Sequence, residues 1–250
     1  MRVLITGAAH GIGAASAEIL AQAGAQIVAV DLDAPSHADA WHKLDLSDPA
    51  AIDALALEGR FDALVNAAGL PPRAGDEARI LAVNYCGLVQ LSARVLPLMS
   101  KGGAIVSIAS KAGANWRETV EQVRRLQGTS VAALPGFVQA EGIDPVRAYD
   151  LSKEGVIYWT KSNTAALRDM GLRANTVSPA AIETRILPDF ERAFGQRAAR
   201  GVALSGRAGT AQEVAQVVAF LADPRSAWVR GANLPVDGGL HAMLEIAQQE

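Results

Sequence analysis

Short runs of β-branched and other apolar residues alternate along the chain with stretches whose apolar residues recur at the helical period. The runs that predict buried strands are 3–5, 27–30, 63–65, 104–108, 173–177 and 232–236. Between them, apolar positions such as Ile12, Ala15 and Ile19 lie on one face of a helix. Strands that alternate with helices are joined by right-handed crossovers and form a parallel sheet. The pattern therefore predicts an α/β fold, a single domain over 1–250 with a doubly wound parallel sheet.

Two helix starts are marked by capping residues. The sequence Thr210-Ala211-Gln212-Glu213 has the spacing of a capping box. Asp48-Pro49 places proline at the first position of another helix. The chain contains no linker, repeat or low-complexity tract, and this agrees with one domain.

The segment 111–147 is longer than a minimal strand-to-helix connection. It is apolar, and Asn115 is expected to cap a helix that carries Trp116, Val120, Val123 and Leu126. A second apolar stretch, 131–138, is interrupted by Pro135-Gly136, either as a hinge or as a simple turn. Long connections are usually functional. We expect an inserted segment on the substrate side, acting as a lid or wall, with a subunit-interface element as the alternative.

Composition narrows the classes of partner. The chain is 50% hydrophobic with a net charge of −3, which gives no electrostatic reason to bind nucleic acid or an anionic membrane. The single cysteine allows no intrachain disulfide, and the four histidines lack ligand spacing, so no metal site is expected. The first residues predict a strand instead of a secretory signal, and no apolar run appears long enough for a membrane span. A cytoplasmic protein is expected.

A glycine-rich loop follows the first predicted strand. In 6–13, T-G-A-A-H-G-I-G, Gly7 permits a tight turn, while Gly11 and Gly13 allow close approach of a pyrophosphate and packing of the helix that follows. Asp31 ends the second strand, 18 residues beyond Gly13, where a carboxylate accepts hydrogen bonds from the adenosine ribose and repels a 2′-phosphate. A basic residue inside such a loop can tolerate a 2′-phosphate, but His10 is isolated and mostly neutral. The pattern favours NAD over NADP.

Tyr149 and Lys153 form the second chemical pattern. At a spacing of four residues their side chains share one face of a helix. A free tyrosine is a poor base at neutral pH, and a neighbouring ammonium lowers the pKa of its phenol. Alone the pair is common on protein surfaces, but after a nucleotide-binding half it indicates an acid–base centre.

Together these motifs resemble the short-chain dehydrogenase/reductase family over essentially the whole chain. The resemblance implies a single Rossmann-fold domain with a doubly wound parallel sheet of about seven strands and a helical insertion before the helix of Tyr149. Further elements also match the family. They are N-A-A-G at 66–69, Asn84 within V-N-Y, Ser110 at the end of the fifth strand, D-L at 45–46, S-P at 178–179 followed by Ile182 and Thr184, and D-G-G at 237–239. One departure is Pro179-Ala180 where the family has Pro-Gly, so Ala180 must avoid a positive φ.

The resemblance implies a function and its residues. Ser110 would orient the substrate oxygen, Tyr149 exchange a proton as hydride passes to or from NAD, Lys153 lower the pKa of Tyr149 and hold the nicotinamide ribose, and Asn84 position a water for proton relay. The residues expected to contact NAD are Gly7, Gly11, Ile12, Gly13, Asp31, Asp45, Leu46, Asn66, Ala67, Gly69, Tyr149, Lys153, Pro179, Ile182 and Thr184.

Substrate and assembly also follow from the resemblance. The lengthened segment and the sequence around Asn84 are similar to bacterial dehydrogenases that act on hydroxysteroids and coniferyl alcohol. A bulky apolar or aromatic alcohol is therefore expected as the small-molecule substrate. The family pairs through the helices that carry Asn84 and Tyr149, so a homodimer or homotetramer is expected, unless 111–147 covers that surface and forces another contact.

Three alternatives stay open. An NADP-dependent carbonyl reductase of broad specificity would use the same residues. A non-catalytic redox sensor could keep the glycine loop without the serine, tyrosine and lysine. An epimerase or dehydratase would need a larger C-terminal substrate domain than the chain provides after the sixth strand.

Overall fold

A parallel sheet forms the centre of the protein. The computed structural model describes residues 1–247, and within them seven parallel strands have the order β3-β2-β1-β4-β5-β6-β9, with β7 and β8 paired separately. The predicted α/β fold and the strand number are confirmed. The strands are β1 (Arg2–Thr6), β2 (Gln26–Asp31), β3 (Ala40–Lys43), β4 (Phe61–Asn66), β5 (Met99–Ile108), β6 (Arg173–Pro179), β7 (Ile182–Glu183), β8 (Gly209–Thr210) and β9 (Asn233–Val236).

Helices cover both faces of the sheet. They are α1 (Gly11–Gln22), α2 (Pro49–Ala54), α3 (Glu77–Leu81), α4 (Leu88–Val95), α5 (Val120–Gln127), α6 (Leu134–Ala140), α7 (Pro145–Ser162), α8 (Thr164–Asp169), α9 (Leu187–Phe194), α10 (Gln196–Ser205), α11 (Ala211–Ala222) and α12 (Leu240–Ala247). A π-helical turn, Ala82–Gly87, joins α3 to α4, and short 3₁₀ turns lie at Leu96–Leu98, Lys111–Asn115, Val131–Ala133 and Pro224–Ser226.

The sheet separates two hydrophobic cores. One includes α1 and α11 packed on the central strands, with Val3, Ile5 and Val218 fully buried. The other lies under α4 and α7, with Leu4 and Ile157 fully buried. The strand order reverses between β1 and β4, and the carboxyl ends of the strands leave a crevice at such a switch point. The fold therefore places the ends of β1, β2, β4 and β5 around one opening.

One helical stretch has the length and hydropathy of a membrane span, contrary to the expectation that no run is long enough. Within Glu77–Leu98, an 18-residue window has a mean hydropathy of 1.3, and 61% of that window is buried inside the protein. Ile80, Leu81 and Leu91 are fully buried in the core beneath the sheet. Core packing accounts for its apolar character.

The helix caps predicted at Asp48 and Thr210 are present. Asp48 accepts hydrogen bonds from the N–H groups of Ala50 and Ala51, with Pro49 in the first turn of α2. Thr210 and Glu213 form the reciprocal capping box of α11. The short strand β3 has only four residues, mostly exposed, and its weak apolar pattern explains why the sequence did not predict it.

The inserted segment differs from the prediction at two places, Asn115 and Pro135-Gly136. Asn115 does not begin a helix, since α5 starts at Val120 after a 3₁₀ turn. The Thr119 hydroxyl before α5 donates instead to Glu154 of α7, at 2.8 Å. Pro135 lies in the first turn of α6, a position that tolerates proline, so Pro135-Gly136 starts a helix and is not a break.

Contacts hold the segment 111–147 against the helices α3 and α7. Val123, Leu126 and Leu134 are buried in the core, α5 packs on α7, and α6 packs on α3. Arg147 of α7 binds the carboxylate of Glu154 through two hydrogen bonds of 2.9 and 2.6 Å and also donates to Gln122 of α5. The segment 111–147 therefore packs on α3 and α7. Whether it acts as a lid depends on which of its residues line the cavity.

Candidate active site

A cavity of about 1270 Å³ lies at the carboxyl ends of the strands. Most of the residues predicted from sequence line it together. They are Gly7, Gly11, Ile12, Asp31, Asp45, Leu46, Ala67, Gly69, Ser110, Tyr149, Lys153, Pro179, Ile182 and Thr184. A cavity that joins a glycine-rich loop to a serine, a tyrosine and a lysine is large enough for a dinucleotide and a substrate side by side.

The glycine loop has the geometry of a dinucleotide cradle. Gly7 has φ +69°, and a Cβ there would lie 2.6 Å from the Ala68 nitrogen. A Cβ at Gly13 would lie 2.0 Å from the Gly7 carbonyl oxygen. Only glycine fits at either place, so α1 begins directly against β1 with its N-terminus toward the cavity. These residues fit the pyrophosphate of a nicotinamide dinucleotide.

Two carboxylates are fixed at the adenosine end. Asp31 accepts hydrogen bonds from the N–H groups of Ala9, at 2.9 Å, and Asp33, at 3.1 Å. Asp45 accepts from the Ser47 N–H and hydroxyl and pairs with Arg79 at 3.3 Å. Both carboxylates are therefore held in fixed positions by these hydrogen bonds. The prediction that they contact the cofactor stays a prediction.

The wall of the cavity that lies opposite the glycine loop begins at Pro179. No described residue other than glycine has a positive φ, so the strand-to-loop turn accommodates Ala180 without the conformation reserved for glycine. Thr184 approaches the glycine loop, since its methyl carbon lies 3.3 Å from where a Cβ on Gly11 would be. Pro179, Ile182 and Thr184 thus face the glycine loop across the cavity.

Ser110, Tyr149 and Lys153 come together from β5 and α7. The helix α7 begins at Pro145, capped by Asp144, so the tyrosine and the lysine lie one turn apart well inside it. The Lys153 Nζ atom lies 5.7 Å from the centre of the Tyr149 ring and donates a 2.8 Å hydrogen bond to the Ile108 carbonyl. Both side chains are buried, and they share one face of the helix as the spacing predicted.

Burial dominates the pKa values of this pair. The pKa of the Tyr149 phenol is raised above its usual value, chiefly by burial, and the Ser110 side chain opposes that shift. Burial also lowers the pKa of the Lys153 ammonium to about 8. The expected lowering of the phenol pKa by Lys153 is not seen here, because the burial of the phenol raises it instead.

Those aromatic side chains were missed by the sequence reasoning. Phe190 and Phe194 of α9 stack on each other and meet Tyr149 edge-on, with ring centres 5.0 and 6.1 Å from the phenol ring. Arg197 of α10 lies over Phe194 and pairs with Asp150 at 2.8 Å, which fastens this wall to the catalytic helix. A signal was present in 187–194, where apolar residues recur every three or four positions.

The wall of the cavity is therefore built by α9 and α10. Of the inserted segment, only Lys111 and Ala112 line the cavity. The remainder packs on α3 and α7, away from the opening. These contacts do not support the idea that 111–147 as a whole is the lid.

Asn84 does not line the cavity but supports it. It is fully buried in the π-helical turn, and such turns are frequent at functional sites. Its side-chain oxygen accepts a hydrogen bond from the Leu70 N–H at 2.7 Å. Its side-chain nitrogen donates to the Leu70 carbonyl at 3.0 Å and to the Ser152 hydroxyl at 3.2 Å. A Cβ on Gly69 would meet both Asn84 and Lys153, so these two side chains converge beside the N-A-A-G loop.

Asn66 and Gly13, which were expected to contact the cofactor, do not line the cavity. The Asn66 amide is 2% exposed and donates to the hydroxyls of Ser92 and Ser107, at 3.1 and 3.2 Å. It joins β4 to α4 and β5 and does not line the cavity. Gly13 likewise lies behind the cavity and serves the packing of α1 on the loop. Among residues 1–247 no group of three or more His, Cys, Asp or Glu side chains could hold a metal ion.

Comparison with known proteins places the chain in a family. A family model described as short chain dehydrogenase matches residues 1–122, and one described as enoyl-(acyl carrier protein) reductase matches residues 121–241. The chain belongs to the short-chain dehydrogenase/reductase family, and it is an oxidoreductase of that family.

Individual relatives are similar over their full length. A coniferyl-alcohol dehydrogenase of a Pseudomonas species is 35% identical over 96% of both chains. A 3-alpha-hydroxysteroid dehydrogenase/carbonyl reductase of Comamonas testosteroni is 33% identical over 98% of both. The crystal structure of a Pseudomonas 3-alpha-hydroxysteroid dehydrogenase complexed with NADH superposes with a TM-score of 0.87, at 31% identity, over 98% of this chain and 99% of that one. The NADH in that structure supports a nicotinamide cofactor for this chain.

Proposed function

We propose that this protein is an NAD(H)-dependent dehydrogenase that interconverts an alcohol and its ketone or aldehyde, with Tyr149 as the general acid–base. One observation carries the proposal: Ser110, Tyr149 and Lys153 line the same cavity as the glycine loop and Asp31. A dinucleotide whose pyrophosphate lies on the loop would extend toward the tyrosine. The names of the relatives, which act on alcohols and hydroxysteroids, agree with this reaction class.

The residues have distinct tasks in alcohol oxidation. A bound nicotinamide supplies the chemistry of accepting hydride from the carbinol carbon. Tyr149 takes the hydroxyl proton, and the Ser110 hydroxyl orients the substrate oxygen by hydrogen bonding. Lys153, buried with a pKa near 8, is charged at neutral pH and favours the tyrosinate as the proton transfers. Asn84 holds the loop beside Lys153, where a water can pass the proton to solvent. In reduction the same proton returns from Tyr149.

Asp31 supports NAD over NADP. Its carboxylate is held by the Ala9 and Asp33 N–H groups at the adenosine end of the cavity. There it can accept hydrogen bonds from ribose hydroxyls, whereas a 2′-phosphate would meet a like charge.

The cavity supports a bulky apolar or aromatic substrate. Beside Tyr149, Phe190 and Phe194 present aromatic faces, and Leu187 and Leu240 extend the apolar lining. An aromatic alcohol or a hydroxysteroid would bury its rings against these side chains. Small polyols would bury too little apolar surface to offset the desolvation of their hydroxyls.

A cofactor-turnover screen tests the function. NAD⁺ reduction is followed with a hydroxysteroid, coniferyl alcohol, a small secondary alcohol and a polyol, each with NAD⁺ and with NADP⁺. The expected order of kcat/KM places the ring-bearing alcohols first and NAD⁺ ahead of NADP⁺. Absence of turnover with every alcohol, while NADH binds, would favour the non-catalytic sensor. A preference for NADP⁺ would overturn the role of Asp31.

Assembly and location are part of the proposal. We expect a homodimer or homotetramer in the cytoplasm. Because α5 and α6 cover parts of α7 and α3, the family's pairing through these helices would be obstructed, and another surface would have to serve. Light scattering at micromolar concentration should give twice or four times the mass of 26.1 kDa. A single-chain mass would contradict this expectation.

A further inference from the structure

Three ionisable side chains meet at the adenosine end of the cavity. His10 comes from the glycine loop, Asp33 follows β2, and Arg185 comes from the opposite wall just after Thr184. The His10 Nε2 atom lies 2.9 Å from Asp33 Oδ2, and an Arg185 guanidinium nitrogen lies 3.7 Å from the same oxygen. All three residues line the cavity. One carboxylate oxygen thus faces two basic side chains that reach it from different segments.

This group adjoins the carboxylate expected to hold the ribose. The backbone N–H of Asp33 donates to Asp31 Oδ1 at 3.1 Å, so the two aspartates are joined directly. In dinucleotide folds the 2′ position of the adenosine ribose lies beside the Asp31-type carboxylate, and a nearby basic residue is what accommodates a 2′-phosphate. His10 and Arg185 are basic residues at that place.

Asp33 neutralises them. The His10 hydrogen bond is the main cause of a lowered pKa for the Asp33 carboxyl, and Arg185 adds to it, so Asp33 is ionised at neutral pH. Arg79, another basic residue lining the cavity, is paired in the same way with Asp45 at 3.3 Å. The basic groups near the predicted ribose site are therefore each faced by a carboxylate.

We propose that Asp33 is a second determinant of cofactor selectivity, which prevents His10 and Arg185 from attracting the 2′-phosphate of NADP(H). This inference rests on the proposed preference for NAD(H). In it, Asp31 disfavours the 2′-phosphate by repulsion, and Asp33 does so by engaging the two basic side chains that would otherwise bind it. The 2′-phosphate is the one chemical group that separates the two cofactors, so the effect is confined to NADP(H).

Binding measurements on Asp33→Asn test the inference. The carboxylate is replaced by a near-isosteric amide on an exposed side chain, and Asp31 is untouched. Calorimetric titration should show NADPH binding about tenfold tighter than to the parent, since the Arg185 guanidinium and the His10 ring are released to the phosphate. NADH binding should change by less than about threefold, since it lacks that phosphate. The gain should shrink at about 0.5 M salt, where exposed charges are screened.

Three further variants make the test specific. Asp169→Asn removes an equally exposed carboxylate that pairs with Arg168 outside the cavity, so it controls for net charge and should leave both affinities unchanged. Adding Arg185→Gln or His10→Gln to Asp33→Asn should each remove part of the NADPH gain. Equal tightening of NADH and NADPH would overturn the inference, because the cations would then act on the shared pyrophosphate. So would an NADPH affinity no better than that of the Asp169→Asn control. A parent that already prefers NADPH would instead contradict the proposed function.

Discussion

The buried Lys153 ammonium should make the folded protein less stable than a neutral side chain would. It is 4% exposed, and within residues 1–247 its single hydrogen bond is to the Ile108 carbonyl. Replacing it by methionine keeps the length of the side chain and removes the charge. Lys153→Met should therefore abolish turnover and at the same time raise the free energy of unfolding at neutral pH.

The magnitude follows from the pKa. Burial lowers the pKa of Lys153 from 10.5 to about 8, which corresponds to about 3 kcal/mol of destabilisation wherever the ammonium stays charged. Below pH 8 this penalty is fully present. Between pH 8 and 10.5 the unfolded chain holds a proton that the folded protein has lost, so the free energy of unfolding rises with pH. Loss of the bond to Ile108 offsets about 1 kcal/mol of the gain in the variant.

Urea denaturation at pH 7 and pH 9.5 measures the effect. Lys153→Met should be about 1–2 kcal/mol more stable than the parent at pH 7, and this advantage should shrink by about 2 kcal/mol at pH 9.5. Other titrating groups, such as Cys86, are common to both proteins and cancel in the comparison. The exposed Lys101→Met serves as the matched control and should show no pH-dependent difference. An advantage that does not change with pH, or a variant less stable than the parent at pH 7, would refute the reasoning.

Three other substitutions separate chemistry, substrate binding and packing. Tyr149→Phe keeps the ring contacts and removes the proton acceptor, so kcat should fall about 10²–10⁴-fold while the Kd for NADH stays within about threefold; activity near that of the parent would contradict the assignment. Phe190→Ala should raise KM for ring-bearing alcohols about tenfold and leave small alcohols unchanged, with the surface variant Phe220→Ala as control; a uniform rise would indicate lost folding instead of a lost wall. Asn66→Ala leaves two buried serine hydroxyls without a partner and should destabilise the protein by about 1–3 kcal/mol at unchanged NADH affinity; weaker NADH binding with unchanged stability would restore the original prediction of cofactor contact.

The order of strands and helices, both caps and the cradle at Gly7 could be predicted from sequence. Each depends on residues close together in the chain: a period of apolar positions, a side chain three residues from the N–H it accepts, a turn that only glycine can form. The four-residue spacing of Tyr149 and Lys153 is local in the same sense, since one helix sets it. The chain itself determines these features.

Other features depend on segments distant in sequence, and only the tertiary structure decided them. Asn66 ends β4 and opens the N-A-A-G element, yet its amide turns inward because Ser92 and Ser107 lie within reach. Thr119 binds Glu154, so the helix expected after Asn115 starts at Val120. Phe190 and Phe194 contact Tyr149 from some forty residues away, and the burial of the phenol raises the pKa that Lys153 was expected to lower. Burial and desolvation depend on everything that surrounds a group, and no local pattern contains that information.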